Sequence, residues 1–198
     1  ILKAEGKSPD AYKVAKQADV LMAFYLLSFS ELEDIFKRLG YPFDKQILRK
    51  NYQYYIKRTS HGSTLSKVTH CYIALILNKP KEAWRMFKDV LESDIYDVQG
   101  GTTPEGIHVG VMGGSVGILT RGFCGLDFTE NKIILNPHLP KEWEKVKFKV
   151  LYKNIWFTFS FSRNSVSVLT EGQISLPIEV EGTSYYPSLG KKLTIPIP

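Results

Sequence analysis

Apolar residues recur every three or four positions through the first two thirds of the chain, which is the spacing of amphipathic helices. Two of the helix starts carry capping signals. Ser8 is followed by Pro9, and Ser30 is followed three residues later by Glu33, which predicts a capping box. Gly40 would end the second helix. The predicted helices are residues 8–27, 30–41, 43–58, 63–77, 79–94 and 106–123.

The last predicted helix, 106–123, is apolar nearly all round and rich in glycine, which predicts a buried helix in close contact with its neighbours. Beyond about residue 126 the period changes to two, with β-branched and aromatic residues and with Asn, Gly and Pro at the turns. Strands are predicted in residues 131–140, 145–154, 155–164, 165–172 and 191–198. The fold class is therefore mainly α followed by all-β, with a β-sandwich as the second part.

Composition and charge exclude several classes of protein. The net charge of +6 is spread along the chain, and without a basic block or a basic–aromatic cluster it does not favour a nucleic-acid partner. No apolar run reaches the roughly 18 residues that a membrane span needs. Cys71 and Cys124 lie in apolar surroundings and are predicted to be small core residues, although two cysteines could form one disulfide. The four histidines lack metal-ligand spacing, so no metal site is expected.

Candidate chemistry is concentrated in TSHGSTLS, residues 59–66. Thr59 or Ser60 could cap the helix that follows, and the free amides of its first turn suit phosphate or sulfate. The hydroxyls, including Ser66, and His61 could add donors. The alternative is an ordinary capped helix start, and no Walker A motif is present.

Two further clusters are polar residues next to apolar stripes. Lys16 and Gln17 are predicted to lie on the first helix and could bind sugar hydroxyls, or they could simply form a solvated face. Glu105 and His108 stand at the start of the glycine-rich helix. Glu105 could merely favour the helix dipole, and His108 could be a core histidine. None of these clusters decides a function by itself.

Four segments together resemble the C-terminal part of glycoside hydrolase family 65, which contains inverting maltose, trehalose and kojibiose phosphorylases. The segments are residues 16–27, 51–75, 103–126 and 135–153, in the family's order. The resemblance implies an N-terminal β-sandwich, a central (α/α)6 barrel and a small C-terminal β-sheet domain. Residues 1–125 would then be the last helices of the catalytic barrel, and residues 126–198 the C-terminal β domain. The chain would be a piece of a longer protein.

The resemblance also assigns roles to residues. The family's phosphate-binding loop matches Ser60, His61, Gly62, Ser63 and Thr64, and its sugar-binding positions match Lys16, Gln17 and Glu105. The implied reaction is phosphorolysis with inversion, in which a carboxylic acid protonates the glycosidic oxygen and phosphate attacks the opposite face. Residues 58–67 contain no Asp or Glu, which favours a phosphorylase over the family's hydrolases.

The general acid of the family is a Glu upstream of the Lys-Gln pair, and Glu5 does not match its motif. No catalytic acid is therefore expected in this chain, and the isolated chain should be inactive. Phosphate would be a co-substrate, with no cofactor. The expected partners are a disaccharide, the missing N-terminal part and a second copy in a homodimer, and the expected location is the cytoplasm. A hydrolase of the same family and a non-catalytic sugar-binding or structural module remain the alternatives.

Overall fold

A computed structural model describes residues 4–8, 12, 14–61, 63–98, 101, 103–172 and 176–197. The chain divides into two compact units, Ile1–Ile118 and Leu119–Pro198. The described helices of the first unit are α1 Asp19–Leu26, α2 Phe29–Arg38, α3 Lys45–Tyr55, α4 Thr64–Ile76, α5 Pro80–Glu92 and α6 Val109–Gly117. A short 3-10 turn, Thr103–Glu105, precedes α6, and a π-helical segment, Ile118–Phe123, follows it.

The predicted start of the first helix is wrong, because residues 14–18 are not helical. Ala15 instead forms a parallel bridge with Thr59. The N–H of Ala15 donates to the carbonyl of Arg58 at 2.9 Å, and the N–H of Ser60 donates to the carbonyl of Ala15 at 2.9 Å. These bonds to a distant loop satisfy the backbone groups that a helix would otherwise use. The predicted first position, Pro9, lies outside the described residues.

The N-cap of α2 lies two residues before its predicted position. Ser28, not Ser30, is the N-cap residue. The Glu31 N–H donates to Ser28 Oγ at 3.3 Å, and the Ser28 N–H donates to Glu31 Oε2 at 2.7 Å, which completes the capping box. Both serines stand three residues before a Glu, so the sequence pattern alone did not separate them. The predicted stop is confirmed, since Gly40 has φ +76° directly beyond the end of α2.

Helices α1 and α4 run parallel to each other. Thr69 Oγ1 lies 2.9 Å from Met22 Sδ, and the rings of Tyr25 and Tyr72 meet edge to face with centroids 5.3 Å apart. The later residue of α1 contacts the later residue of α4, so the two helices point the same way. Their N-termini, and the segments that precede them, therefore lie at the same end of this unit.

Helix α6 joins the same parallel group. Gly114 packs against the Val68 side chain of α4, and Gly117 packs against the Tyr25 hydroxyl of α1. Tyr25 lies level with Tyr72 of α4, one turn beyond Val68. The later glycine of α6 therefore contacts the later level of the pair, and α6 points the same way as α1 and α4. We call the segments that precede these three helices, residues 14–18, 56–61 and 103–108, the three-loop end.

Helix α6 is buried on one side only, so the prediction of a fully buried helix is wrong for this chain. Val111, Gly114 and Ser115 are buried, whereas Val109 is 77% exposed and Val116 is 61% exposed. None of the described helices has the length and apolar character to cross a membrane.

The second unit is a β-sandwich, as predicted. Its described strands form two four-stranded sheets, ordered β1-β2-β6-β7 and β3-β4-β5-β8. The strands are β1 Leu126–Phe128, β2 Ile133–Leu135, β3 Lys145–Tyr152, β4 Ile155–Ser162, β5 Ser165–Glu171, β6 Ile178–Val180, β7 Thr183–Tyr185 and β8 Leu193–Pro196. Strands β1, β6 and β7 were not predicted, since three residues are too few to show a period, and β2, which is equally short, was predicted only within the longer segment 131–140.

Alternating side chains from both sheets meet in one apolar core, which includes Leu135 and Ile178 from one sheet and Phe157, Phe159 and Val168 from the other. The prediction for the cysteines is confirmed. Cys71 and Cys124 are both free and fully buried, one in each unit, and burial raises the pKa of each thiol to about 12.

Candidate functional site

The three-loop end contains the segments that carry the predicted site residues, and backbone hydrogen bonds join two of these segments, 14–18 and 56–61. Lys16 and Gln17 precede α1 rather than lying on it, which corrects the predicted helical placement. Lys16 is exposed. Gln17 Nε2 donates to Asp19 Oδ1 at 2.9 Å, which orients the Gln17 amide against the first turn of α1. The bridge between Ala15 and Thr59 fixes this segment beside the loop that precedes α4.

Neither of the predicted caps of α4 has that role. Thr59 Oγ1 donates to the carbonyl of Tyr55 at 2.8 Å, at the end of α3. Ser60 Oγ donates to the carbonyl of Ala15 at 3.4 Å, so it strengthens the link between the two loops. The N-cap residue is Ser63, and its side chain makes no capping hydrogen bond. Within the described residues, the first turn of α4 therefore has no side-chain cap.

This arrangement leaves the positive end of a 13-residue helix open to a ligand. Thr64 is the first residue of α4, and Ser63 directly precedes it. Gly62, which was predicted to let the backbone approach an anion, lies outside the described residues. An uncapped helix start beside a serine and a histidine can bind a phosphate-sized anion.

His61 is held by the first turns of α4. Its backbone has φ +50°, a left-handed conformation that is uncommon for residues other than glycine. Its Nδ1 lies 3.0 Å from Ser66 Oγ, and its ring meets that of His70 edge to face at 4.8 Å. His70 is fully buried, and its Nδ1 donates to the carbonyl of Ser66 at 2.8 Å. Two histidines thus converge on one serine.

Both histidines are neutral near pH 7. Burial, then the neighbouring His70 and Lys67, lowers the pKa of His61 to about 4. Burial also lowers the pKa of His70, against a smaller opposing effect of the Ser66 carbonyl. Lys67 pairs with Asp89 at 2.9 Å, so its charge is largely compensated. His61 therefore offers a hydrogen-bond donor to an anion and not a positive charge.

A small cavity of about 10 Å³ lies between Gln17 and the first turns of α4. It places the loop of the predicted sugar-binding pair directly against the helix that follows the predicted phosphate loop. Its lining residues are Gln17, Ala18, Asp19, Met22, Leu65, Ser66, Thr69 and His70.

The third loop contains a carboxylate–imidazole–carboxylate cluster. His108 Nδ1 donates to Asp94 Oδ1 at 2.6 Å, and the backbone N–H of His108 donates to Asp94 Oδ2 at 2.8 Å. His108 Nε2 lies 3.3 Å from Glu105 Oε2. The side chain of Asp94 is 9% exposed and that of Glu105 is 67% exposed. The largely shielded carboxylate of Asp94 thus anchors the imidazole of His108, which also contacts the exposed carboxylate of Glu105.

Each partner in this cluster favours the charged form of the other. Hydrogen bonds to Asp94 and then to Glu105 raise the pKa of His108. Burial by itself would raise the pKa of Asp94, but hydrogen bonds from the side chain and backbone of His108 lower it. The interpretation of His108 as a core histidine is therefore wrong, because it belongs to an ion-paired cluster at the three-loop end.

Sequence reasoning missed three residues of this region. Asp94 stands 14 positions before His108 and gives no local signal. His70 lies in an apolar run, and Ser66 was expected to be a free hydroxyl donor although it is only 3% exposed and bound to His61. Among the described residues, no group of three or more His, Cys, Asp or Glu side chains could hold a metal ion.

Comparison with known proteins gives a consistent picture. Residues 1–117 match the profile of the glycosyl hydrolase family 65 central catalytic domain, and residues 126–186 match that of the family's C-terminal domain. A trehalose 6-phosphate phosphorylase of Lactococcus lactis is 42% identical over 153 residues, which cover 77% of this chain and 20% of the relative. A kojibiose phosphorylase of Thermoanaerobacter brockii is 31% identical over 172 residues, 86% of this chain and 20% of the relative.

A solved structure described as "Putative kojibiose phosphorylase from human microbiome" superposes with a TM-score of 0.74 at 30% identity, covering 94% of this chain and 25% of that one. The chain spans between 14% and 21% of the length of the curated relatives that it matches. The two profile matches cover the helical unit and most of the β unit in the family's order. This chain belongs to glycosyl hydrolase family 65, and it corresponds to the C-terminal portion of that family's fold.

Proposed function

We propose that this chain is the C-terminal part of an inverting disaccharide phosphorylase. The complete protein would cleave an α-glucoside of the maltose, trehalose or kojibiose type with inorganic phosphate to give β-glucose 1-phosphate and the second sugar. The helical unit would supply the last helices of the (α/α)6 barrel, and the β unit would be the C-terminal domain. Relatives named as trehalose and kojibiose phosphorylases support this class of reaction.

The observation that carries the proposal is the bridge between Ala15 and Thr59. It fixes Lys16 and Gln17, the proposed sugar-binding pair, beside Ser60 and His61, which precede the uncapped start of α4. A phosphorylase needs this neighbourhood, because phosphate must lie within reach of the anomeric carbon of the bound glucosyl unit.

The charges and hydrogen-bond donors of these residues suggest which of them bind phosphate and which bind the sugar. Phosphate is held by the first-turn amides of α4, by the Ser63 hydroxyl and by the neutral imidazole of His61, with Ser60, Gly62 and Thr64 completing the loop. Lys16, Gln17 and Glu105 bind hydroxyls of the glucosyl unit. A phosphate oxygen attacks the anomeric carbon as the glycosidic bond breaks, and an acid protonates the leaving oxygen. That acid is a Glu of the upstream part of the protein.

The surface of α6 supports a larger assembly. Ile107 is 77% exposed, and Val109 and Val116 are also exposed on the same helix or next to its start. Apolar side chains in this number would be covered if further barrel helices packed against α6. This chain spans only about a fifth of the length of such relatives, which agrees with that proposal.

The test is release of sugar phosphate by the complete protein, with and without inorganic phosphate, from maltose, trehalose and kojibiose. We expect cleavage of one of these sugars only when phosphate is present, and no cleavage by the 198 residues alone. In the complete protein, His61→Ala should raise the KM for phosphate with little change in the KM for the disaccharide. Cleavage at the same rate without phosphate would instead identify a hydrolase.

A second substrate belongs in the same panel. The trehalose 6-phosphate phosphorylase is 42% identical to this chain, whereas the matching kojibiose and trehalose phosphorylases are 28% to 32% identical. This difference favours a phosphorylated disaccharide as the substrate. A kcat/KM for trehalose 6-phosphate at least ten times that for trehalose would support it, and equal values would contradict it. If no sugar in the panel is cleaved, the proposal of a phosphorylase for these disaccharides fails, and a non-catalytic module becomes the favoured alternative.

A further inference from the structure

Ser66 is the residue that holds His61, and although it lies in the first turn of α4, only 3% of it is exposed. Its Oγ lies 3.0 Å from His61 Nδ1. Its carbonyl accepts the Nδ1–H of the fully buried His70 at 2.8 Å, so the hydroxyl and the carbonyl of this residue each face a histidine. Its burial and its contact with His61 favour a supporting role for this hydroxyl over the direct phosphate contact expected of Ser66 from the sequence.

The direction of the bond between Ser66 and His61 follows from the acceptors available. A buried hydroxyl must donate its proton to some acceptor, and among the described residues His61 Nδ1 is the one within reach of Ser66 Oγ. If His61 Nδ1 carried the proton instead, the Ser66 hydroxyl would be left with a proton and no described acceptor. Among the described residues, the geometry therefore favours a bond from Ser66 Oγ–H to His61 Nδ1.

A neutral imidazole carries one ring proton, and a filled Nδ1 lone pair leaves that proton on Nε2. The opposite tautomer would present a lone pair at Nε2, and a lone pair repels an anion. The tautomer of His61 therefore decides whether its free edge attracts or repels phosphate.

We infer that Ser66 is a positioning residue for phosphate: its hydroxyl donates to His61 Nδ1, which fixes the ring and places the proton on Nε2, where it is donated to the bound phosphate. This inference rests on the proposed phosphate role of the loop. Removing the Ser66 hydroxyl should free the ring to rotate and to change tautomer, and phosphate should then bind more weakly while the sugar-binding groups stay in place.

The first experiment is calorimetric titration of the complete protein with inorganic phosphate. We expect His61→Ala and Ser66→Ala each to weaken phosphate binding by about tenfold, the effect of losing one good hydrogen bond. Ser66→Thr keeps the hydroxyl, and its extra methyl group has the adjoining cavity beside it, so affinity should return to within about twofold of wild type. Ser115→Ala removes another buried hydroxyl, which donates to the carbonyl of Met112 at 2.7 Å in α6, and should leave phosphate affinity unchanged.

The outcomes separate the inference from the proposed function. If His61→Ala binds phosphate as well as wild type does, the phosphate role of the loop fails, and the role of Ser66 fails with it. If His61→Ala weakens binding and Ser66→Ala does not, only the inference about Ser66 fails.

A second measurement needs no variant, so it does not depend on whether Ser66→Ala folds. Long-range ¹H–¹⁵N NMR spectra of the wild-type protein distinguish the two ring nitrogens of His61. A protonated Nε2 and an unprotonated Nδ1 would support the inference. A protonated Nδ1 would overturn it.

Discussion

Gly114 and Val68 are so close that a Cβ atom on the glycine would lie 2.6 Å from Val68 Cγ1 and 3.0 Å from its Cγ2. Val68 is fully buried, and a valine in a helix has one strongly preferred rotamer, so it has little room to move aside. The glycine thus sets the distance between α4, which follows the candidate phosphate loop, and α6, which follows the Glu105 turn.

The first prediction is that Gly114→Ala destabilises the protein by about 1–3 kcal/mol, because the added methyl group overpacks this contact. Gly113→Ala is the matched control, since a Cβ there has no atom within 4 Å. Alanine is the better helix former, so the control should be neutral or stabilising by up to about 1 kcal/mol. Urea unfolding of the purified variants would measure both. Equal free energies of unfolding for the two variants would show that the contact sets no distance.

The second prediction concerns Gly125, at the start of the β unit. Its φ is +61°, and a Cβ there would lie 2.0 Å from the carbonyl oxygen of Asn136, whose own N–H donates to the Gly125 carbonyl at 3.1 Å. We expect Gly125→Ala to cost more than about 3 kcal/mol, because a backbone atom cannot rotate away as a side chain can.

Gly190→Ala separates the steric effect at Gly125 from backbone strain. Gly190 has φ +67°, but no atom lies within 4 Å of a Cβ at that position. This variant should cost only about 1–2 kcal/mol, the price of a left-handed conformation for an alanine. Similar unfolding midpoints for the two variants would mean that the contact with Asn136 is unimportant.

Long periodic segments made most of the fold predictable from the sequence. Helices α3, α4 and α5 and strands β3, β4 and β5 each repeat their pattern over seven residues or more, and each was predicted with the correct type. The start of α1 was not predictable, because a local pattern that favours a helix cannot show that Ala15 pairs with Thr59. Tertiary hydrogen bonds overrode local propensity there.

At the candidate site, too, local sequence patterns were predictive and tertiary contacts were not predictable. The TSHGSTLS motif and the Lys-Gln pair indicated which loops matter, because unusual residue types stand next to each other in the sequence. The contacts that orient these residues join distant positions or buried groups. Asp94 anchors His108 across 14 positions, and Ser66 turns from an expected ligand donor into a partner of His61. Hydrogen-bond direction and burial have no signature in a single sequence.

The third prediction concerns the pair of Asp94 and His108. Asp94→Asn removes the carboxylate that raises the pKa of His108, so this pKa should fall toward its ordinary value of about 6.5. Glu105→Gln should lower it less, because the contact of Glu105 with His108 is longer, at 3.3 Å, and more exposed. NMR titration of the His108 ring would measure both changes. A His108 pKa that is unchanged in Asp94→Asn would contradict the ion pair.

The same pair predicts a pH window of stability. The folded state raises the pKa of His108, so that contribution is complete below about pH 6.5 and is lost as the pH rises through the folded value. The folded state lowers the pKa of Asp94, so that contribution is present above about pH 4 and is lost as the pH falls through the folded value. Both are present between about pH 4 and 6.5. Asp94→Asn should therefore reduce the free energy of unfolding most in this window.

The fourth prediction is an opposite trend from His61 and His70. Their folded pKa values are lowered, to about 4 for His61, so between about pH 6.5 and 4 the unfolded state takes up protons that the folded state does not. Stability from these groups is present above about pH 6.5 and falls as the solution is acidified toward pH 4. Glutamine does not titrate in this range, so His61→Gln and His70→Gln should each flatten the slope of unfolding free energy against pH.

Urea unfolding midpoints at half-unit steps from pH 4 to 8 would measure this slope, with His138→Gln as the control. A slope that is the same in wild type and in both site variants would mean that folding does not lower the pKa values of these histidines.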